Sequence, residues 1–397
     1  NYYYPTNDLI TAPEILFSWV ARMIIAGYEF KGEKPFHNVY LTGLVRDQQR
    51  RKMSKSLGNS PEPLDLIAKY GADGVRVGML LCSPAGNDLL YDDTLPEQGR
   101  NFANKIWNAF RLVKSWDVDD TAEQPVSSAA AVRWMEEILT KGIGEVDSNF
   151  RKFRISEALM NVYKLFWDEF SGWYLEIIKP EYKKPVDRKT FDATLVFFDK
   201  LLKIIHPFMP FITEEIWQLI DERKDGESIM ISRLPEIRKY NKDITGRFEL
   251  IKETVTAIRS IRKERDLNNK DKHILCIRAD EKSADHEFLP VVTRLCNLDH
   301  IKFVDSKQEE AASFMIGTVE YFIPLGDKMD IEAEAKKISN ELKYYRGFLL
   351  SVEKKLGNEN FVKNAPEKIL DMEKKKKNDA ETKISSLENR LKEIGMS

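Results

Sequence analysis

The chain has 397 residues, 42% hydrophobic and 32% charged, so it is long enough for two to four domains and too apolar to be disordered throughout. Its 62 basic and 64 acidic residues leave a formal charge of -2, which neither demands nor excludes a nucleic-acid partner. No stretch approaches the roughly 18 uninterrupted apolar residues of a membrane span, so no membrane partner is expected.

Three scattered cysteines, Cys82, Cys276 and Cys296, argue against a disulfide framework and for a reducing, cytoplasmic setting. Five histidines (His37, His206, His273, His286, His300) show no ligand spacing, and no metal site is expected in this chain.

Asn1 runs directly into Tyr2-Tyr3-Tyr4-Pro5-Thr6 with no charged leader or cleavage site, which reads as a start inside a domain. The first 95 residues are mixed α/β. Ile15, Leu16, Trp19, Val20, Met23 and Ile24 follow helical spacing, with Pro13 at a first-turn position. Asn38–Val45 reads as one buried strand, and a basic loop with Gly and Pro extends from Arg46 to Pro63. Leu64–Leu81 carries a short helix and a further apolar segment.

From Pro96 to about Arg265 the spacing is helical. Phe102, Ile106, Phe110 and Val113 form one stripe, and 117–130 reads as a loop. Helices are expected around 131–148, 153–177, 189–206 and 246–265, with another after Pro210 that takes Thr213 as its N-cap. Between 270 and 326 three strands are expected, at 273–279, 300–305 and 318–325, with a helix at 284–295. Finally, Ile331, Ala335, Ile338, Leu342, Tyr345, Leu349, Val352 and Leu356 keep a heptad seam. Ile384, Leu387, Leu391 and Ile394 begin to answer it, while Lys374–Lys377 interrupts the second seam. An antiparallel hairpin with arms of about 39 Å fits this spacing, and intermolecular pairing is the rival.

The densest chemistry lies in Arg50-Arg51-Lys52-Met53-Ser54-Lys55-Ser56-Leu57-Gly58-Asn59. Between Arg46 and Lys55 stand five basic residues and one acid, directly after an apolar strand. Such a cationic loop at the carboxyl edge of a sheet suits a polyphosphate. A solvated basic loop is the bland alternative.

Lys52-Met53-Ser54-Lys55-Ser56 closely resembles the second signature of the class I aminoacyl-tRNA synthetases. The flanking Trp19-Val20-Ala21-Arg22-Met23, Thr42-Gly43-Leu44-Val45-Arg46-Asp47, Tyr70-Gly71-Ala72-Asp73-Gly74 and Gly99-Arg100-Asn101-Phe102-Ala103-Asn104-Lys105 resemble the valyl group of that family. His206-Pro207-Phe208-Met209-Pro210-Phe211 is shared with the isoleucyl and leucyl groups. The resemblance implies a mainly α multidomain chain. It would hold the C-terminal part of a Rossmann catalytic domain (1–50), a lysine-loop and stem-contact region (51–95) and a helical anticodon-binding domain (96–265). A small α/β junction module (266–327) and a coiled-coil hairpin arm that binds tRNA (328–397) would follow.

The resemblance also implies an ATP-dependent ligase that activates valine to an adenylate and transfers it to tRNA(Val). Lys52 and Lys55 would then stabilise charge on the phosphates. Ser54, Leu44, Val45 and Glu14 would complete the ATP site, although Thr11-Ala12-Pro13-Glu14 departs from the family's usual glycine and aspartate. Trp19 would shape the amino-acid pocket, and Asn104, Trp107, Asn108 and Arg111 would face tRNA. Mg2+ is expected to accompany ATP in the full enzyme, itself expected to be a monomer. The family's first signature, His-Ile-Gly-His, is absent, as is the inserted editing domain. The chain therefore reads as a C-terminal portion, inactive alone, with an exposed sheet edge prone to dimerisation or disorder. An isoleucyl relative and a non-catalytic tRNA-binding module remain as alternatives.

Overall fold

Thr6–Thr11 (β1) and Phe36–Leu41 (β2) pair in parallel, joined by a crossover through Ala21–Lys31 (α1). The computed structural model describes residues 2–81, 87–265, 267–268, 270–308, 311–324, 331–358 and 367–393. They fall into two units, Asn1–Thr245 and Gly246–Ser397. No helix among them is long and apolar enough to cross a membrane.

The crossover opens as a tight turn, Pro13–Ile15, with proline at its first position, where a missing N–H costs nothing. It continues through a wider, π-type turn, Leu16–Val20. Parallel strands are ordinarily covered on both faces. Here Ile10 is 68% exposed and Phe30 82% exposed, so this βαβ unit leaves apolar surface open.

The single strand expected over Asn38–Val45 is two. β2 stops at Leu41, and Val45–Arg46 (β3) pairs in parallel with Leu89–Leu90 (β4). Between them the backbone turns from one partner to the other. Thr42 N donates to the Thr11 carbonyl at 2.9 Å, and Leu44 N donates to Asp88 Oδ1 at 3.1 Å. Pro63–Tyr70 (α2) and Ala72–Leu81 (α3) follow, so the apolar segment after the short helix is a second helix.

Thr94–Lys114 (α4) packs against α3 at very close range: a Cβ on Gly99 would fall 2.1 Å from the Gly74 carbonyl oxygen. All four residues of the stripe, Phe102, Ile106, Phe110 and Val113, are buried. The expected loop 117–130 is only partly one. Val118–Asp119 (β5) pairs with Val186–Asp187 (β6), and Val126–Arg151 (α5) begins within it. Ser127, Ser128, Ala130 and Ala131 are buried in that first turn. Small side chains let the helix approach closely, and the same composition looks loop-like when read without contacts.

Ile155–Lys164 (α6), a wider-wound stretch Leu165–Tyr174 and Leu175–Ile178 (α7) form one continuous helical run. Arg188–Ile205 (α8) packs against it through aromatics. Phe166, Phe170 and Phe198 have ring centroids 5.3 to 5.9 Å apart. Burying such rings is the main favourable term for this bundle, at roughly 25 cal/mol per Å² of apolar surface.

Pro210–Ile220 (α9) corrects the capping expectation. Thr213 sits inside the helix, where its hydroxyl donates to the Met209 carbonyl at 2.6 Å. The orphan N–H groups of Phe211 and Ile212 instead donate to the Asp73 carboxylate of α3, at 3.3 and 2.7 Å. Arg76, one turn further along α3, donates to the carbonyls of Pro207 and Phe208 at 3.1 Å each. The His206–Phe211 segment is thus clasped from both ends by α3.

Lys242–Glu264 (α10), whose first four residues belong to the first unit, precedes a four-stranded sheet in the second. Its strands are His273–Arg278 (β7), Leu298–Phe303 (β8), Ala311–Ile316 (β9) and Val319–Pro324 (β10), in the order β8-β7-β10-β9. Leu289–Leu295 (α11) joins the parallel β7 and β8 and is shorter than the expected 284–295. The sequence reading missed β9, whose Ala311 and Ala312 are both buried and show no alternation. Near the end of α10, Arg262 is buried and donates to the carbonyls of Asp271 and Asn297.

Ile331–Leu356 (α12) and Glu367–Glu393 (α13) pack together, with Ile338, Leu342 and Leu387 buried and Tyr345, Ile384 and Leu391 against them. Lys374–Lys377 does not break the second seam. Glu373 and Ala380 are buried seven residues apart in line with Leu387, and Lys377 is half-buried between them. The side chains of Ile331 and Ala335, and Ile394 as a whole, lie outside the described residues.

Candidate lysine-loop site and nucleic-acid interface

The basic loop is built on one carboxylate. Asp47, buried at the end of β3, accepts from Arg51 N and Arg51 Nε at 2.8 Å each and from Asn59 Nδ2 at 2.9 Å. Those bonds, the Asn59 amide foremost and Arg51 after it, hold its carboxyl at about 2 against the opposing effect of burial. Asn59 ties the loop's far end to its near end. Its Oδ1 accepts from Ser54 N at 2.9 Å, and its Nδ2 also reaches the Lys52 carbonyl at 3.4 Å. A short antiparallel bridge, Arg46 to Lys52, folds the chain back on β3.

Arg46 is anchored on the opposite side by an ion pair with Asp88, whose carboxyl it lowers. Asp47 and Asn59 stand in the quoted motifs, but the scaffold role they share with Asp88 was not legible. Nothing in the spacing of 47 and 59, or of 46 and 88, says that they meet.

At the tip, Lys55–Leu57 makes a tight turn in which Ser54 Oγ accepts from Leu57 N at 3.3 Å, so Ser54 is a turn cap here. Gly58 follows at φ 62°, with nothing within 4 Å of where a Cβ would sit. Its use in the fold is the left-handed backbone.

The two lysines stand differently. Lys52 Nζ lies 2.9 Å from Glu14 Oε1. The Lys55 side chain is exposed, with no hydrogen bond or ion pair among the described residues. Leu44 and Val45 are half-buried on the segment leading into the loop, and the backbone N–H of Leu44 is taken by Asp88. Trp19, on the wide turn Leu16–Val20, is 57% exposed, so it is not a core tryptophan. The structure therefore brings Glu14, Lys52, Ser54 and Lys55 to one loop region.

On α4, Asn104, Asn108 and Arg111 are exposed along one side, while Trp107 is half-buried with its ring 5.6 Å from that of Phe110. An exposed amide–guanidinium row on a helix offers hydrogen bonds to base edges and a cation for phosphate.

Comparison with known proteins bears directly on this arrangement. Residues 1–92 match the family described as tRNA synthetases class I (I, L, M and V), and 132–277 match the anticodon-binding domain of tRNA ligase. Residues 330–395 match the valyl tRNA synthetase tRNA binding arm. The valine–tRNA ligase of Parabacteroides distasonis is 57% identical over 391 residues, 98% of this chain and 44% of its own length. This chain is homologous to the valine–tRNA ligases. The ligase of Porphyromonas gingivalis is 54% identical over 99% of the chain and 45% of its own length, and that of Thermotoga maritima 36% identical over the same shares. The chain thus spans less than half the length of these valine–tRNA ligases. The lysine loop, with Glu14 and Trp19, falls in the class I match, and the exposed row on α4 falls between the first two matches.

Proposed function

We propose that this chain forms the lysine-loop and tRNA-binding portion of a valine–tRNA ligase. In that reaction the valine carboxylate attacks the α-phosphorus of ATP. The bond to pyrophosphate breaks, and valyl-adenylate then esterifies the terminal ribose of tRNA(Val), releasing AMP. The observation that carries the reading is the 57% identity along nearly the whole chain, joined to a loop whose Lys55 is free to meet a ligand.

In this reading Lys55 neutralises negative charge on the α-phosphate and departing pyrophosphate, and Lys52 assists after leaving Glu14. Ser54 keeps the tip folded while Glu14 accepts hydrogen bonds from the ribose hydroxyls. Leu44 and Val45 lie along the adenine edge, and Trp19 closes the valine pocket. The open apolar surface of the first βαβ unit receives the remainder of the ligase. Asn104, Trp107, Asn108 and Arg111 face the anticodon arm, and α12 with α13 serves as a coiled-coil arm against tRNA.

Mg2+ enters as the companion of ATP. Among the described residues no group of three His, Cys, Asp or Glu is placed to hold a metal.

The test is ATP–pyrophosphate exchange by the full-length protein carrying this sequence, with valine, isoleucine and threonine compared. Exchange led by valine is the expected result, and exchange led by isoleucine overturns the reading. The chain by itself is expected to bind tRNA(Val) and to give no exchange.

A further inference from the structure

A groove of about 590 Å³ opens on the helical bundle between the second half of α5, Asn161 of α6 and the segment 238–242. Nothing of α4 lines it, so it is separate from the row at Asn104, Asn108 and Arg111. The segment is pinned in place by Asn241 N, which donates to Glu137 Oε2 at 2.6 Å.

The lining is cationic: Lys141, Arg238, Lys239 and Lys242 stand against one carboxylate, Glu145. That carboxylate is already engaged, by Lys141 at 3.9 Å and by Asn161 Nδ2 at 3.3 Å. Lys239 and Lys242, in contrast, have no side-chain partner among the described residues. Between them the half-buried Tyr240 offers a ring with no aromatic neighbour among the described residues, and the side chains of Ser148 and Asn149 across the groove are likewise uncommitted.

A flat ring flanked by two free ammonium groups, facing uncommitted hydroxyl and amide groups, matches one chemical object. It is a heteroaromatic base carrying a phosphate on each side. An acidic peptide would satisfy the lysines but leave the ring and the amide without a reason. We infer that this groove binds one unpaired nucleotide of an RNA, stacked on Tyr240 with its flanking phosphates on Lys239 and Lys242. This deepens the tRNA-binding reading and rests on it. The groove adds a second place of contact, away from α4, where stacking and charge act together.

The experiment titrates the whole chain against a tRNA(Val) transcript by fluorescence anisotropy over a series of salt concentrations. Wild type is compared with K239A/K242A, Y240A, Y240F and, as the α4 comparator, R111A. Because the two lysines are exposed and unpartnered, circular dichroism should match wild type. The lysine variant is expected to lose about tenfold in affinity, with the salt dependence falling by roughly one unit per lysine. Y240A should lose roughly 5- to 100-fold while Y240F keeps wild-type affinity, as stacking requires the ring and not the hydroxyl.

A photoreactive p-benzoylphenylalanine in place of Tyr240 should crosslink a nucleotide different from the one reached from Trp107. Wild-type affinity and salt dependence in K239A/K242A and Y240A, alongside a loss in R111A, overturns the groove while the tRNA-binding reading stands. Absence of tRNA binding by the wild-type chain overturns both.

Discussion

Lys52 Nζ and Glu14 Oε1 lie 2.9 Å apart, joining the lysine loop to the turn that leads into α1, 38 residues earlier. Both side chains are substantially exposed, and an exposed ion pair contributes no more than about 1 kcal/mol. Its interest is positional: it holds the first lysine of the loop on the carboxylate that the proposed function gives to the ATP ribose.

Glu14→Gln should therefore change unfolding free energy by less than about 1 kcal/mol in a urea titration. In pyrophosphate exchange by the full-length protein it should raise KM for ATP by about tenfold or more, the cost of a lost charge-assisted hydrogen bond. An unchanged KM would remove Glu14 from the nucleotide site.

Lys55→Ala should separate activity from stability. The ammonium has no partner among the described residues, so the melting temperature should stay at the wild-type value. Loss of a preorganised cation at a developing charge typically costs about 10²- to 10³-fold in kcat. Pre-steady-state adenylate formation measures this, and a lowered melting temperature with full activity would contradict it.

Asp47 makes the loop acid-sensitive. Its carboxyl is held at about 2, below the ordinary 3.8, so its ionised form is favoured in the folded chain. The stability it contributes is complete above 3.8 and is lost as pH falls through that value toward 2. Asn59→Ala removes the largest of the lowering influences. The Asp47 titration, followed by carboxyl NMR, should move upward in that variant, and the Ser54 amide should exchange faster.

Asp73 should behave in the opposite sense. Burial raises its carboxyl above 3.8 even though two N–H groups of α9 donate to it. A raised folded value means its contribution is greatest below 3.8 and declines as pH rises through the raised value. Asp73→Ala leaves Phe211 N and Ile212 N without their acceptor, at a cost of about 1–3 kcal/mol in a urea titration. Asp73→Asn keeps one acceptor oxygen and should lose less, with a flatter dependence on pH.

Much of the architecture was legible because it rests on periodicity. The stripe Phe102, Ile106, Phe110, Val113 and the seam Ile338, Leu342, Tyr345 are local patterns, and each side chain's face follows from helix pitch alone. The errors came where small or charged residues do the packing. Ser127, Ser128 and Ala130 resembled a loop, Ala311 and Ala312 hid a strand, and Lys374–Lys377 resembled a break in the seam.

The candidate site divides in the same way. Sequence by itself singled out Lys52, Ser54 and Lys55 as candidates for the chemistry, because they fall within four residues and the lysines' charge needs no fold to be seen. Tertiary structure decided what holds them. Asp47 with Asn59, Arg46 with Asp88, Lys52 with Glu14, and Asp73 with α9 are partners separated by 12 to 139 residues. Spacing of that kind leaves no periodic trace. It also decided that one lysine is held and the other free, since length and composition treat all 62 basic residues alike and only contact distinguishes a paired charge from an available one.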